Sequence, residues 1–489
     1  MAYRGGHPPA VKGCGAGKMR TLSKRKNLWS ALIWGSATVF TLCYVSLIFN
    51  QNVWTDEIFT MKLLEGGFGE IVEGTAKDVH PPLYYFVAKA AQIVFGKSLQ
   101  VQKVVALVPM SLTLVLGATK VRRLFGDSVS FLFILILGCI PCSMEFAVQV
   151  RMYSMALLAV TACGLYACEC YFQKGRQHAG CWIGLVLSAL AAAWLHYFAF
   201  GSAIVIQGLL FWALLIGNRK QLKKWFGAVF VMILSYLPWI GIFARQVQGV
   251  SQSYWIPPIT PETIWGYFEW TFGIHKWSWP CLLAVALSVC AGIAALYGCV
   301  KKRRKDVCAL LFMAVPALTA LSGVVLSLLI RPVYRDQYVF PSIGLFCLFL
   351  AIELSHARKK KWIFYPVLLF VLFLGAVQYL ETWRQEYKST LTDQTVAFWQ
   401  EHVGENDIIV YNLEINRFCY TYYFPEDKLF YVRDVDLSQD FDAIWFLDTA
   451  YEWEFVPDQI IPYNLQIEYQ GHFGIEHNEF DLYKVTKGK

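Results

Sequence analysis

Long apolar stretches alternate with short polar ones over the first 380 residues. The first run covers 28–49, and others follow at roughly 101–121, 128–147, 153–172, 181–196, 198–216, 225–244, 279–300, 307–329, 337–355 and 362–380, eleven in all. Each approaches or exceeds the roughly 20 residues that a helix needs to cross a hydrocarbon core. The apolar run 83–95 is different: it has 13 residues, contains Lys89 and follows Pro81 and Pro82. It is too short to span and is expected to lie along the outer interface. Beyond 380 the pattern changes to a helical period near 390–403 and then to strand-like segments at 407–411, 443–447 and 480–485. The predicted fold is a multi-pass α-helical membrane protein of about eleven transmembrane helices, with a small C-terminal α/β domain over 381–489.

Composition agrees: 56% of residues are hydrophobic, 16% are charged and the mean hydropathy is +0.43, which excludes an ordinary soluble domain. The net charge of +8 hides a split. Residues 1–380 carry 35 Lys and Arg against 14 Asp and Glu, whereas 381–489 carry 8 against 21. Basic clusters mark cytoplasmic loops. With residue 1 inside and 83–95 not crossing, twenty-five of those 35 basic residues fall on the inner side. The same topology places 54–82, 145–153, His196, the aromatic loop 245–278, 331–336 and the whole acidic tail outside. Residues 1–27, polar, Gly-rich and basic, are expected to form a disordered cytoplasmic tail. The run 28–49 is too long for a signal peptide's apolar region and reads as a retained anchor in the plasma membrane. The basic residues do not form one face, so no nucleic-acid partner is implied. Fourteen cysteines lie mostly within apolar runs and imply no disulfide framework.

Candidate chemistry gathers after the first span, in WTDEIFTMKLLEGGFGEIVEGTAKDVHPP (54–82). Carboxylates at a membrane boundary are costly and mark function. Asp56 follows a tryptophan at the end of a rigid span, a partly desolvated position suited to a general base, with a solvated loop pair as the bland alternative. Glu57 is adjacent and either joins the catalytic pair or orients the loop. Asp78 and His80 are candidates to position an acceptor, to share a divalent metal with Asp56, or to fix the turn before Pro81. Arg331 and Arg335 flank a short outer turn, RPVYRDQY, where a guanidinium can fork onto phosphate oxygens. Arg151, with Tyr153 beside it, starts a span on the same side and has a carboxylate as its natural partner. His196 and Tyr197 read more as an interface anchor than as ligands. An enzyme facing outward has no nucleotide-sugar pool to draw on, so its donor must arrive in the lipid. A polyprenyl-phosphate sugar meets that need, with a carboxylate taking the acceptor's proton and cations stabilising the phosphate. The tail has no motif that carries chemistry.

The DE pair (Asp56, Glu57), the D-x-HPPLYY segment from Asp78 to Tyr85, the RR-L-F-G run from Arg122 to Gly126 and R-M-Y-S from Arg151 to Ser154 resemble bacterial family 39 glycosyltransferases. These are GT-C-fold relatives of protein O-mannosyltransferases and aminoarabinose transferases. The resemblance covers about 50–175 by motif and the later spans by layout. It implies inverting transfer of a monosaccharide from a polyprenyl phosphate to a hydroxyl on a protein, lipid or cell-wall polymer. It carries Asp56 over as the residue that activates the acceptor and Arg335 as a contact to lipid phosphate. It leaves metal use open, because that use varies among GT-C enzymes. The chain departs from the pattern at Lys103, where relatives often have Arg, and in the wider spacing of Arg335 and Tyr338. By this reading 28–380 is the catalytic domain, with an outer loop at 50–100. The alternative is a flippase or transporter of a lipid-linked saccharide; the scarcity of charge inside the spans weighs against it. A non-catalytic scaffold displaying the acidic tail would leave the DE pair unexplained.

Overall fold

A computed structural model of the chain describes residues 14–50, 53–172, 179–252, 256–274, 278–301, 303–387, 391–436, 440–449, 465–476 and 478–487. Residues 1–13 of the predicted tail, and Tyr254, Trp255 and Trp277 of the aromatic loop, lie outside the described residues. The N-terminal half is built from α1 (Cys14–Leu47), α2 (Thr55–Leu63), α3 (Phe68–Lys77), α4 (Leu83–Phe95), α5 (Leu99–Leu116, continued to Phe125), α6 (Asp127–Cys139), α7 (Tyr153–Phe172), α8 (Ala179–Leu195) and α9 (Tyr197–Gly217). The rest of the bundle is α10 (Leu222–Gln252), α11 (Pro261–Phe272), α12 (Trp279–Val300), α13 (Arg304–Leu329), α14 (Ile343–Ala357) and α15 (Lys361–Tyr387). Helix α1 begins at Cys14, so residues 14–27 extend a helix rather than forming a tail. Similarly, α15 runs past the expected domain boundary at 381. Residues 245–252 belong to α10 and 261–272 to α11, so much of the predicted aromatic loop is helical.

Among the described residues, nine segments are long and apolar enough to cross a membrane, and nine of the eleven predicted spans coincide with them. The other two form shorter helices. The run 128–147 breaks at Pro141, which has no N–H to donate and holds Ile140 extended (φ −68°, ψ 128°); a separate helix, Pro141–Phe146, follows. The run 181–196 forms the 17-residue α8. Helix α4 has the 13 residues expected, buries Tyr84, Tyr85 and Ala88, and leaves Val94 and Phe95 exposed. Helix α14 is central, and where it meets α7 a glycine on each helix makes room for a side chain of the other. A Cβ on Gly344 would lie 2.0 Å from Thr161 Oγ1, and one on Gly164 would lie 2.6 Å from a Leu345 methyl. Helices α10, α12 and α15 instead turn apolar residues such as Phe230, Ile293 and Leu369 outward, as lipid-facing helices do.

The C-terminal domain holds α16 (Leu391–His402), α17 (Arg417–Tyr423) and five strands: β1 (Ile408–Tyr411), β2 (Leu429–Tyr431), β3 (Ile444–Asp448), β4 (Leu465–Ile475) and β5 (Asn478–Lys487). Strand order is β2-β1-β3-β5-β4, parallel over β2, β1 and β3, then antiparallel. The three-residue β2 is too short to show a pattern, whereas β4 does alternate, with Leu465, Ile467, Tyr469, Phe473 and Ile475 separated by polar or glycine positions. All four residues of β1 are buried because both faces of the sheet are covered. Ile408, Val410, Ile444 and Phe446 pack with Val432 and Phe441 on one face. On the other, Ile409, Tyr411, Trp445 and Leu447 pack with Trp399 and Tyr420, and also with Val53, Ile58, Leu99 and Val150 of the membrane domain. The tail is thus seated on the 54–82 loop.

Candidate active site

Trp54 is extended and caps α2, so Asp56 and Glu57 occupy its first turn, where the helix dipole favours carboxylates. The two diverge from there. Glu57 is buried, and backbone donors reach both of its oxygens: Trp54 N–H to Oε2 at 2.9 Å and Val150 N–H to Oε1 at 2.6 Å. It clamps the 147–152 segment onto α2. The Asp56 side chain remains 40% exposed, and Arg151 Nη2 stands 3.6 Å from its Oδ2.

Arg151 is almost wholly buried. Its Nη1 donates to the Asp56 carbonyl at 3.2 Å, the Tyr85 hydroxyl at 3.2 Å and Thr60 Oγ1 at 3.4 Å. Desolvation opposes its charge, but Tyr85, Asp56, Tyr153 and Asp78 outweigh that and raise its pKa, so the guanidinium stays charged. Asp78 lies at the end of α3, and its Oδ2 is 2.8 Å from His80 Nδ1. Burial alone would raise the Asp78 carboxyl. His80, through charge and hydrogen bond, and then Arg151 prevail and hold it below its ordinary value. From α10, Gln246 Nε2 donates to the carbonyls of Thr75 at 2.8 Å and Asp78 at 2.5 Å, while Tyr197 donates to Gln246 Oε1.

An aromatic cluster extends the site. The His80 and His196 rings are 5.5 Å apart, and His196 lies 5.6 Å from Tyr153 and 5.1 Å from Tyr338. His196 Nδ1 accepts the Phe198 N–H at 3.2 Å, which leaves the proton on Nε2. Gln337 Nε2 reaches the Tyr153 hydroxyl at 3.4 Å. The half-buried Arg331 and Arg335 stand on the same connection between α13 and α14 as Gln337 and Tyr338. Asp56, Asp78, His80, Arg151 and Tyr153 are therefore brought into one neighbourhood, joined by Gln337 and Tyr338, which follow the Arg331–Arg335 turn in the chain. Lys103 is turned elsewhere: it is buried and donates to the carbonyl of Asn50 at 3.0 Å and to its side-chain oxygen, closing the end of α1.

Sequence reasoning passed over Val150, Thr60, Tyr85 and Gln246. Tyr85 stood in the HPPLYY motif, but Gln246 carried no local signal, because its role arises only from α10 meeting α3. It also gave the tail no part. The Val53 N–H donates to Glu476 Oε1 at 3.0 Å, and the Tyr423 hydroxyl binds the same oxygen. Thr55 Oγ1 is 3.0 Å from Cys419 Sγ, and Lys62 donates to Thr421. Glu476 itself adopts φ 56° in the β4–β5 turn, a left-handed conformation uncommon outside glycine, Asn and Asp. Residues on both sides of Asp56 are therefore fastened to the C-terminal domain.

A metal at Asp56, Asp78 and His80 needs three ligand atoms that converge. Among the described residues that convergence of His, Cys, Asp or Glu atoms is found only at Asp306, Glu353 and His356.

No family model matches the chain, and no curated protein does. Solved structures do. ArnT from Cupriavidus metallidurans in the apo state superposes with a TM-score of 0.59 at 11% identity, over 94% of this chain and 98% of that one. The same protein bound to undecaprenyl phosphate gives 0.56 at 11% identity, over 93% and 98%. An oligosaccharyltransferase from Archaeoglobus fulgidus reaches 0.47 at 10% identity over 79% of this chain and 63% of its own, a similarity too slight to bear on the fold. The chain thus shares the fold of ArnT, a GT-C-like multi-pass helical bundle followed by a small C-terminal α/β domain.

Proposed function

We propose that the chain is a membrane glycosyltransferase that moves a monosaccharide from a polyprenyl-phosphate donor to a hydroxyl on an acceptor, with inversion and with Asp56 as general base. The observation that carries this is the contrast within the acidic cluster. Glu57 has both oxygens engaged by backbone and Asp78 is engaged by His80, while Asp56 stays open beside a buried guanidinium. As the acceptor oxygen bonds to the anomeric carbon, its proton passes to Asp56. The anomeric carbon–oxygen bond breaks, and its electron pair leaves with the lipid phosphate. In this reading Arg331 and Arg335 offset the phosphate charge, and Asp78, His80 and Tyr153 shape the acceptor side. Glu57 acts as a positioning residue. In this reading the N-terminus faces the cytoplasm of a plasma-membrane protein, and the site and tail face outward.

The undecaprenyl phosphate bound by the ArnT of like fold supports a polyprenyl donor. So does an apolar cavity of about 510 Å³ between α8, α9 and α10. Its lining residues Tyr236 and Phe243 pack with Val72 and Ala76 of α3, the helix that ends at Asp78. A lipid chain lying there would bring its phosphate toward the cluster.

The deciding experiment uses protein in lipid, radiolabelled polyprenyl-phosphate monosaccharides and a membrane extract as acceptor. Asp56→Asn keeps the shape but takes no proton. We expect at least about a 100-fold loss of transfer, with unfolding midpoint and donor binding unchanged. If wild type consumes no donor yet carries it between leaflets, and Asp56→Asn does so equally well, a transporter replaces this reading.

A further inference from the structure

We propose that the chain binds one divalent transition-metal ion between Asp306, Glu353 and His356, at the end of the bundle away from Asp56. Asp306 lies in the first turn of α13, and Glu353 and His356 lie three residues apart in the last turns of the neighbouring α14. That spacing puts both α14 side chains on one face. Helix α13 rises roughly 35 Å from Asp306 before it reaches the Arg331 turn, so this is a separate place from the candidate active site. Ligand atoms from the three residues all lie within 4.8 Å of one another.

What points to a ligand is the state of the carboxylates. The Asp306 side chain is 0% exposed, and among the described residues none donates a hydrogen bond to either of its oxygens or to the buried Glu353 Oε1. Their nearest cationic contacts are long. Arg303 Nη1 stops 3.8 Å from Asp306 Oδ2 and is more than half exposed. His356 Nδ1 stands 3.3 Å from Asp306 Oδ1 and 3.8 Å from Glu353 Oε2. Native structures seldom leave buried carboxylate oxygens without donors. One ion among these atoms would satisfy all three groups together.

The surroundings confine the site. Gly298, in the last turn of α12, comes so close that a Cβ there would meet Asp306 Oδ2 at 1.4 Å, so that backbone closes one side. The half-exposed His356 forms the rim by which an ion would enter. Two carboxylate oxygens and one imidazole nitrogen suit zinc or manganese. Calcium and magnesium prefer oxygen throughout, and the usual stability order puts zinc above manganese. Bound there, the ion would join the start of α13 to the end of α14.

The test uses the full-length protein in detergent, stripped with a chelator and dialysed. Zinc and, separately, manganese are then titrated by calorimetry, with bound metal counted by mass spectrometry. Wild type should take about one zinc per chain, bind it more tightly than manganese, and show a rise in unfolding midpoint as zinc is added. Asp306→Asn and His356→Gln should each weaken zinc at least about 10-fold and abolish the rise in midpoint. Arg303→Gln, which removes only the long ion pair, should bind zinc as well as wild type. His356 sits at the rim, so its variant remains informative even if Asp306→Asn does not fold. No saturable zinc on wild type, or equal zinc on His356→Gln, overturns the proposal.

Discussion

Neighbouring carboxylates in one helical turn receive different tasks here according to the donors that reach them. Asp56 and Glu57 share a backbone, a helix dipole and a tryptophan cap, yet the Val150 N–H is within reach of Glu57 alone. Losing that acceptor would strand the buried Val150 donor, at about 1–3 kcal/mol, and the partly buried Trp54 donor as well, so the Glu57 carboxylate holds this segment to α2. Asp78 is distinguished by charge. A carboxyl whose pKa is lowered in the fold contributes stability that is complete above the unfolded-chain value of about 3.9 and is lost as pH falls through the folded value. Because His80 and Arg151 hold Asp78 low, the wild-type unfolding midpoint should drop more steeply below about pH 4 than that of Asp78→Asn. Parallel curves for the two proteins would show that Asp78 gains nothing from those neighbours.

Among elements, α2 is the one most affected by its surroundings. Nine residues make a helix of marginal stability by itself. It persists between the membrane bundle, reached through Glu57 and Arg151, and the C-terminal domain, reached through Thr55, Ile58 and Lys62. Glu476 fastens that second side at the cost of a left-handed backbone. Removing its carboxylate by Glu476→Ala should loosen the docking without touching the sheet. Cys419 reports on this: it is buried against Thr55, and burial pushes its thiol up to about 11, which makes it slow to react. In Glu476→Ala, maleimide modification of Cys419 should accelerate severalfold and transfer should fall, with the unfolding midpoint of the bundle little changed. Unchanged labelling would mean that apolar contact alone seats the domain.

For the whole molecule, the segregation of charge makes the strongest claim. Basic clusters at one set of loops and an acidic C-terminal domain imply that the tail and the 54–82 loop share a side, and the docking of one on the other agrees with that arrangement. Expressed in a bacterial host, a C-terminal alkaline phosphatase fusion should be active and a C-terminal green fluorescent protein fusion dark. The reverse pattern would place the candidate site in the cytoplasm and remove the argument for a lipid-borne donor.

Hydropathy and charge by themselves determined that the chain is a multi-pass helical membrane protein ending in a small α/β domain, because burial in lipid and the sidedness of basic residues act on segments about 20 residues long. The DE pair, Asp78, His80 and Arg151 were also legible, since polar residues between apolar spans have few reasons to be there. Tertiary structure alone decided which carboxylate stays open, because that depends on Val150, 93 residues away, and on Arg151 reaching Asp56, Thr60 and Tyr85 together. It alone showed that α10 holds the backbone at Asp78 through Gln246, and that the C-terminal domain docks on α2 through Thr55, Ile58 and Lys62. It alone brought Asp306 to Glu353 and His356, which stand far apart in the chain and meet because α13 and α14 run antiparallel. Local pattern records how a segment meets solvent or lipid, whereas a site is a meeting of segments, and packing supplies that.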